Sequence, residues 1–324
     1  MVEWFVEEGI GEDRAIRLSG DRIVAAHCEP HGRLRVGARL ATTLFQRIRG
    51  SARGLARTQG GSVIQVDRLP RSVTEGAQMT VEIVRQPIFE AGRTKPAAGR
   101  FTECEPAGAS SLAEMLGSDV ESAVRVVHRF PAGDWDELMA EAFGVTLPFA
   151  GGELHLTPAA AMTLVDIDGG LPPRELAMAA IEPVADALRR FDIGGSIGID
   201  FPTLDTKTGR RDVNDALDRA LADWPHERTA MNGFGFVQIV ARLERPSLLH
   251  RARYRTRETA LRWLMRKAEQ VEAPGPLLLV SPFETADATI EGWTGELARR
   301  TGRRVRWQRD PSLAPEGSYV QAIP

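Results

Sequence analysis

Cysteine is almost missing: Cys28 and Cys104 are the only two in 324 residues. Two cysteines cannot build a cysteine-based zinc cluster within one chain. A chain of this length buries enough apolar surface to need no disulfide staple. Sparse cysteine suits a reducing compartment, so the expected location is the cytoplasm. Long apolar runs are missing too. Stretches such as Pro276-Leu277-Leu278-Leu279-Val280 are far too short to span a bilayer, and no membrane partner is expected. The first eight residues, Met1 to Glu8, are acidic and do not read as a signal peptide. Neither a Gly-x-x-x-x-Gly-Lys phosphate loop nor a His-Glu-x-x-His zinc motif occurs, and Gly9-Ile10-Gly11 lacks the third glycine of a dinucleotide fingerprint. His27, His31, His128, His155, His226 and His250 are scattered without ligand spacing and read as structural or solvated. Ser110, Ser111 and Ser247 have no triad context.

What is present has an ordinary globular composition, 43% hydrophobic and 26% charged, in a chain long enough for two or three domains. The net charge of −3 hides an asymmetry. Residues 31–100 hold thirteen Arg or Lys against Asp67, Glu75, Glu82 and Glu90, a local net charge of +9. Residues 1–30 carry −4 and the remainder −8. Such concentrated basicity is the electrostatic footprint of a polyanion binder. An Arg-rich surface inherited from a high-GC genome accounts for it equally well.

Patterning divides the chain into four parts. Residues 1–34 read as strands around Gly-containing turns, packing on the α/β part. Residues 35–105 read as a small OB-like β-barrel, with strands at 36–44, 62–66 and 79–86. The stretch 91–108, with its Pro and Gly, reads as a linker. Residues 106–250 read as mixed α/β: helices at 135–143, 174–191 and 213–224, a hairpin-like pair over 153–168, and a strand at 235–243. Residues 251–324 read as a basic helix over 251–271, then a β-α-β unit. The fold class expected is thus α/β of the mixed α+β kind, with a barrel ahead of an α/β nuclease-like region.

Chemistry concentrates at two short apolar strands that end in carboxylate, Thr163-Leu164-Val165-Asp166-Ile167-Asp168 and Ser196-Ile197-Gly198-Ile199-Asp200. Asp166 and Asp168, two apart, share one side of a strand. Hard oxygen ligands from two strand ends suit Mg²⁺, which takes one or two carboxylates and keeps several waters. The alternative is that each Asp caps a turn or helix.

These segments resemble the ribonuclease E/G family. Residues 156–168 are similar to the family's first metal-aspartate stretch, and residues 191–201 (Phe-Asp-Ile-Gly-Gly-Ser-Ile-Gly-Ile-Asp-Phe) to its second. Phe234-Gly235-Phe236 followed by Arg245-Pro246-Ser247-Leu248 is similar to a third motif, and residues 8–15 fit the family's start. The resemblance holds in order and spacing across roughly 155–250. It implies Mg²⁺-dependent endonucleolytic cleavage of single-stranded RNA in RNA processing or decay. Asp166 and Asp200 would be the metal ligands, and Asp168 would stand where the family has Asn. The barrel at 35–105 would hold RNA, mainly through phosphate contacts, because Phe45 and Phe89 are its only aromatics over 35–100. The chain departs from the family in having no 5′-monophosphate-sensing segment and no Cys-Pro-x-Cys zinc link. It has a short loop, Gly169 to Pro173, after the first aspartates, and Gly233 in place of Arg. Oligomerisation without a zinc link stays open, and a catalytically degenerate RNA-binding protein of the same fold is the alternative reading.

Overall fold

The computed structural model describes residues 3–118 and 123–324. The chain opens with β1 (Glu3–Glu8), β2 (Glu12–Ser19) and β3 (Arg22–Pro30), and continues into β4 (Arg39–Arg47), β5 (Gly54–Thr58), β6 (Val63–Asp67) and β7 (Gln78–Arg85). A short hairpin, β8 (Ile88–Glu90) and β9 (Arg93–Lys95), precedes β10 (Ala97–Thr102). Then come α1 (Leu112–Gly117), β11 (Ala123–Val127), α2 (Trp135–Gly144), β12 (Thr146–Phe149), β13 (Gly152–Pro158) and β14 (Thr163–Gly169). They are followed by α3 (Pro173–Ala179), α4 (Ile181–Arg190), β15 (Gly195–Asp200), α5 (Lys207–Ala220), β16 (His226–Arg228) and β17 (Phe236–Ala241). The last part holds α6 (Leu248–Tyr254), α7 (Thr256–Glu269), β18 (Leu277–Ser281), α8 (Ala288–Thr301), β19 (Val305–Arg309) and β20 (Tyr319–Ala322). The fold is a mixed α+β one containing an OB-like barrel.

The barrel closes in the order β4-β5-β6-β10-β7, with β6 and β10 parallel and the other pairs antiparallel. Met79, Val81 and Ile83 alternate inward along β7 to meet Leu44, Ala56, Ile64 and Val66. The closing strand β10 lies inside the stretch that reads as a linker in the sequence. Its Pro and Gly residues mask it, and Gly99 is there for closeness: a Cβ would sit 2.3 Å from Val81 Cγ1.

Strands order as β12-β13-β14-β15-β17-β16 in the main sheet, with β14 and β15 parallel. The connection between those two carries α3 and α4 rather than one helix over 174–191. Pro183 sits at the third position of α4, where it lacks an N–H and its ring would press on the carbonyl of Ala179. The expected helix over 251–271 is likewise two, α6 and α7. The Thr256 hydroxyl donates to the Ala252 carbonyl, which a continuous helix would offer to the backbone. The helix expected from residue 213 begins at Lys207, capped by Thr206.

One face of the main sheet is buried, the other open. Leu154, Leu156, Val165, Ile167, Ile197, Ile199, Val237 and Ile239 point into a core shared with α2 to α6. That core reaches Phe5, Ile16, Leu18 and Ile23 of the N-terminal sheet, ordered β11-β1-β2-β3, so α4 lies between the two sheets. The C-terminal unit, β19-β18-β20 with α7 and α8, has its own core around Leu264, Leu277, Leu279 and Leu297. It docks through buried polar contacts: Arg266 reaches Glu7 at 2.8 Å, Arg14 donates to the Arg262 carbonyl at 3.4 Å, and Arg262 donates to the Gly11 carbonyl.

Candidate metal and nucleic-acid site

β14 and β15 bring the two aspartates together. The parallel register places Asp166 opposite Asp200, as Thr163 is opposite Ile197. Neighbouring strands run roughly 5 Å apart, so the two side chains leave one face as an adjacent pair. Alternation sends Val165, Ile167 and Ile199 into the core and leaves Asp166, Asp168 and Asp200 exposed. The Asp200 carboxyl is pushed above its ordinary range, by partial burial first and by the negative charge of Asp166 second.

The next strands complete the row. His155 on β13 is the register partner of Asp166, and Phe236 on β17 that of Asp200. His155 Nε2 lies 3.2 Å from Glu153 Oε1 and 3.6 Å from Asp168 Oδ2, while its Nδ1 is 3.3 Å from the Thr146 hydroxyl. Asp168 therefore belongs to the same face, one row along, and is engaged by this histidine rather than set against the pair. His155, read from the sequence as solvated or structural, stands beside Asp166. Only strand register, which no motif spacing in the sequence encodes, brings it beside Asp166.

The floor beside the carboxylates is aromatic. A Cβ on Gly198 would sit 2.5 Å from the Phe236 ring and 3.0 Å from Met162 Sδ, so the ring lies across the sheet where Gly198 leaves room. Phe234 is 82% exposed on a turn held by its carbonyl accepting from Thr203 and its N–H donating to Asn232 Oδ1. The short loop after Asp168 folds back on the turn before β13, with Gly170 N donating to the Gly151 carbonyl. The face is left uncovered, which suits a long substrate lying across it.

The donor set fits a hard cation. Among the described residues neither Asp166 nor Asp200 has an Arg, Lys or His partner at ion-pair distance, and the two carboxylates repel one another. No group of three or more His, Cys, Asp or Glu converges among the described residues. A cation here would thus take two carboxylate oxygens and draw the rest from water or phosphate, as Mg²⁺ does.

Other residues of the matching segments are structural. Asp192 adopts a left-handed conformation (φ 54°) and holds His27 at 2.9 Å and Arg245 at 3.8 Å. Ser247 caps α6 through the His250 N–H. On the barrel the four acids are engaged: Asp67 with Arg53, Glu82 with Arg100, Glu90 with Arg93, and Glu75 with the Arg47 N–H. Arg49, Arg57, Arg68 and Arg71 stand exposed on the barrel, with Arg57 4.8 Å from the centroid of the exposed Phe45 ring. Phe89 turns away from this surface and is covered by Arg255, 3.7 Å from its centroid. No helix among the described residues is long and apolar enough to cross a membrane. Compared with known proteins, the chain matches no family model and no curated sequence.

Proposed function

We propose that the chain is a compact endoribonuclease of the ribonuclease E/G type, cleaving single-stranded RNA with Mg²⁺ held by Asp166 and Asp200. The observation that carries this reading is their register pairing on adjacent parallel strands, without a cationic partner among the described residues, on an uncovered sheet face. Bound there, Mg²⁺ would neutralise charge on the scissile phosphate and activate the attacking water. Asp166 and Asp200 supply the anionic seat. His155 orients Asp168 and can hold a proton at Nε2 close to it. Phe234 and the Phe236 ring offer apolar surface to a base or ribose beside the phosphate. The barrel adds its exposed arginines and Phe45 with Arg57 over it, which suit a single strand through backbone charge and stacking.

The test is cleavage of an unstructured RNA with and without Mg²⁺. Outer partners of metal sites already cost about 10–100-fold when removed, so loss of a ligand in Asp200→Asn should cost at least about 100-fold. RNA binding should survive. Equal Mg²⁺-dependent cleavage by the wild type and by both Asp200→Asn and Asp166→Asn would sink the proposal.

A second reading, a catalytically degenerate RNA-binding protein, is favoured by one observation: the ligand set is only two carboxylates on an open face. It expects salt-sensitive RNA binding with no metal-dependent turnover. Products that vanish in the Asp variants would reject it.

A further inference from the structure

A cavity of about 510 Å³ lies between the barrel and α6–α7, away from the aspartates. That volume falls in the range of about 300–1,000 Å³ that small-molecule sites occupy. Its charge is unbalanced. Arg33, Arg251, Arg255 and Arg262 line it, against Glu12 and Glu258. Glu12 is taken by Arg14 at 3.0 Å. Glu258 alone serves Arg33 at 2.8 Å, Arg255 at 3.4 Å and Arg262 at 3.5 Å. Arg251 is buried and donates to the Pro246 and Cys28 carbonyls, which leave its charge uncancelled. The guanidinium of Arg262 is held below its ordinary range by burial first, with Arg251 and Arg33 pushing the same way against Glu12 and Glu258.

Two further features say what would balance it. The Arg255 Nε is buried and has no acceptor among the described residues, while its guanidinium lies flat on Phe89. A buried donor without an acceptor is costly, and an anionic oxygen would satisfy it. Leu34, Val63, Phe89 and Pro96 add apolar lining beside Ser62, Gln86 and Thr94. A site that combines surplus guanidinium charge with apolar lining fits a small molecule with a phosphate and a flat ring.

We propose that this cavity binds a free nucleoside monophosphate, its phosphate among Arg33, Arg251 and Arg255 and its ring against the barrel wall. The ligand would bridge barrel and helices and brace one against the other. This site is separate from the aspartate pair and does not depend on the cleavage reading.

The experiment is thermal unfolding and calorimetry of the full chain with AMP, adenosine and inorganic phosphate. AMP well above its dissociation constant should raise the unfolding midpoint by at least about 2 °C. Adenosine should leave it unchanged, and phosphate should act more weakly than AMP. Arg33→Gln, at an exposed position, should weaken AMP binding several-fold, and Arg33→Gln with Arg255→Gln by about tenfold or more, one unpaired phosphate contact being worth that much. Asp200→Asn should bind AMP as the wild type does. No shift with AMP, or binding unchanged in both arginine variants, would overturn the assignment. Displacement of AMP at equal concentration by a 5′-phosphorylated oligonucleotide would overturn it too, in favour of a chain end.

Discussion

Asp200 is poised against its own fold. Its carboxyl is raised above the ordinary value, so the folded chain takes up this proton more readily than the unfolded chain does. Stability linked to this group is present below the ordinary aspartate pKa and is lost as pH rises through the raised value. Asp200→Asn should therefore stabilise the metal-free protein at neutral pH. Adjacent like charges cost about 0.2–1 kcal/mol, and exposure puts this pair at the lower end. The gain should disappear at about pH 4 and below, and Mg²⁺ should stabilise the wild type but not the variant; urea unfolding at both pH values with and without Mg²⁺ checks this. His250 runs the other way. Burial holds its pKa down at about 4, only weakly opposed by Glu90. Its Nδ1 is 2.9 Å from the Ser247 hydroxyl. The folded state thus resists protonation: the stability is present above the ordinary histidine pKa and is lost as pH falls toward about 4. Between pH 7 and pH 5 the wild type should lose about 2 kcal/mol through this residue. A His250→Gln variant that shows the same loss would contradict that assignment.

At the level of elements, the sequence announces some features and hides others for physical reasons. The apolar runs before Asp166 and Asp200 are legible because a buried strand needs β-branched residues and its exposed end tolerates carboxylate. The break at Pro183 is legible in principle, since proline at that position cannot continue a preceding helix. The barrel strand β10 is not, because Gly99 serves tight closure against β7 rather than a loop. The place of His155 depends on which strands pair, information spread over the whole sheet. The same holds for the ion pairs joining β1 to α7, whose partners Glu7 and Arg266 are 259 positions apart. Both side chains are buried, and Glu7 also accepts from the Phe130 N–H. Glu7→Gln should cost about 3–5 kcal/mol, because it removes the nearest carboxylate from the buried Arg266 guanidinium. Denaturant unfolding measures this, and a cost below about 1 kcal/mol would show that the network does not hold the C-terminal unit on the N-terminal sheet. On the barrel, Phe45→Ala should weaken single-stranded RNA binding by about 1–3 kcal/mol if a base stacks there. Arg49→Ala should instead flatten the salt dependence by about 0.7 in log–log slope, as expected of a phosphate contact.

The whole molecule combines a barrel whose acids are engaged within it with an open sheet on which Asp166 and Asp200 have no cationic partner among the described residues. The exposed arginines of the barrel, Arg57 over Phe45 among them, and the Asp166 and Asp200 carboxylates, without a cationic partner among the described residues, have complementary needs. One suits a polyanion, the other a cation that a polyanion's phosphate can share. The two features are drawn together by RNA and Mg²⁺ more simply than by a small neutral substrate, for which an uncovered face offers no enclosure. The composition foretold the charge split but not its distribution, because the fold decides that Asp67, Glu82 and Glu90 pair with Arg53, Arg100 and Arg93. The measurement that bears most directly on this account is single-turnover cleavage of an unstructured oligoribonucleotide, with and without Mg²⁺, by the wild type, Asp200→Asn and Asp166→Asn. The account predicts 5′-phosphorylated products from the wild type only with Mg²⁺, at least about 100-fold slower cleavage by either variant, and unchanged RNA binding by all three. Cleavage that is independent of Mg²⁺, or equally fast in both variants, would contradict it.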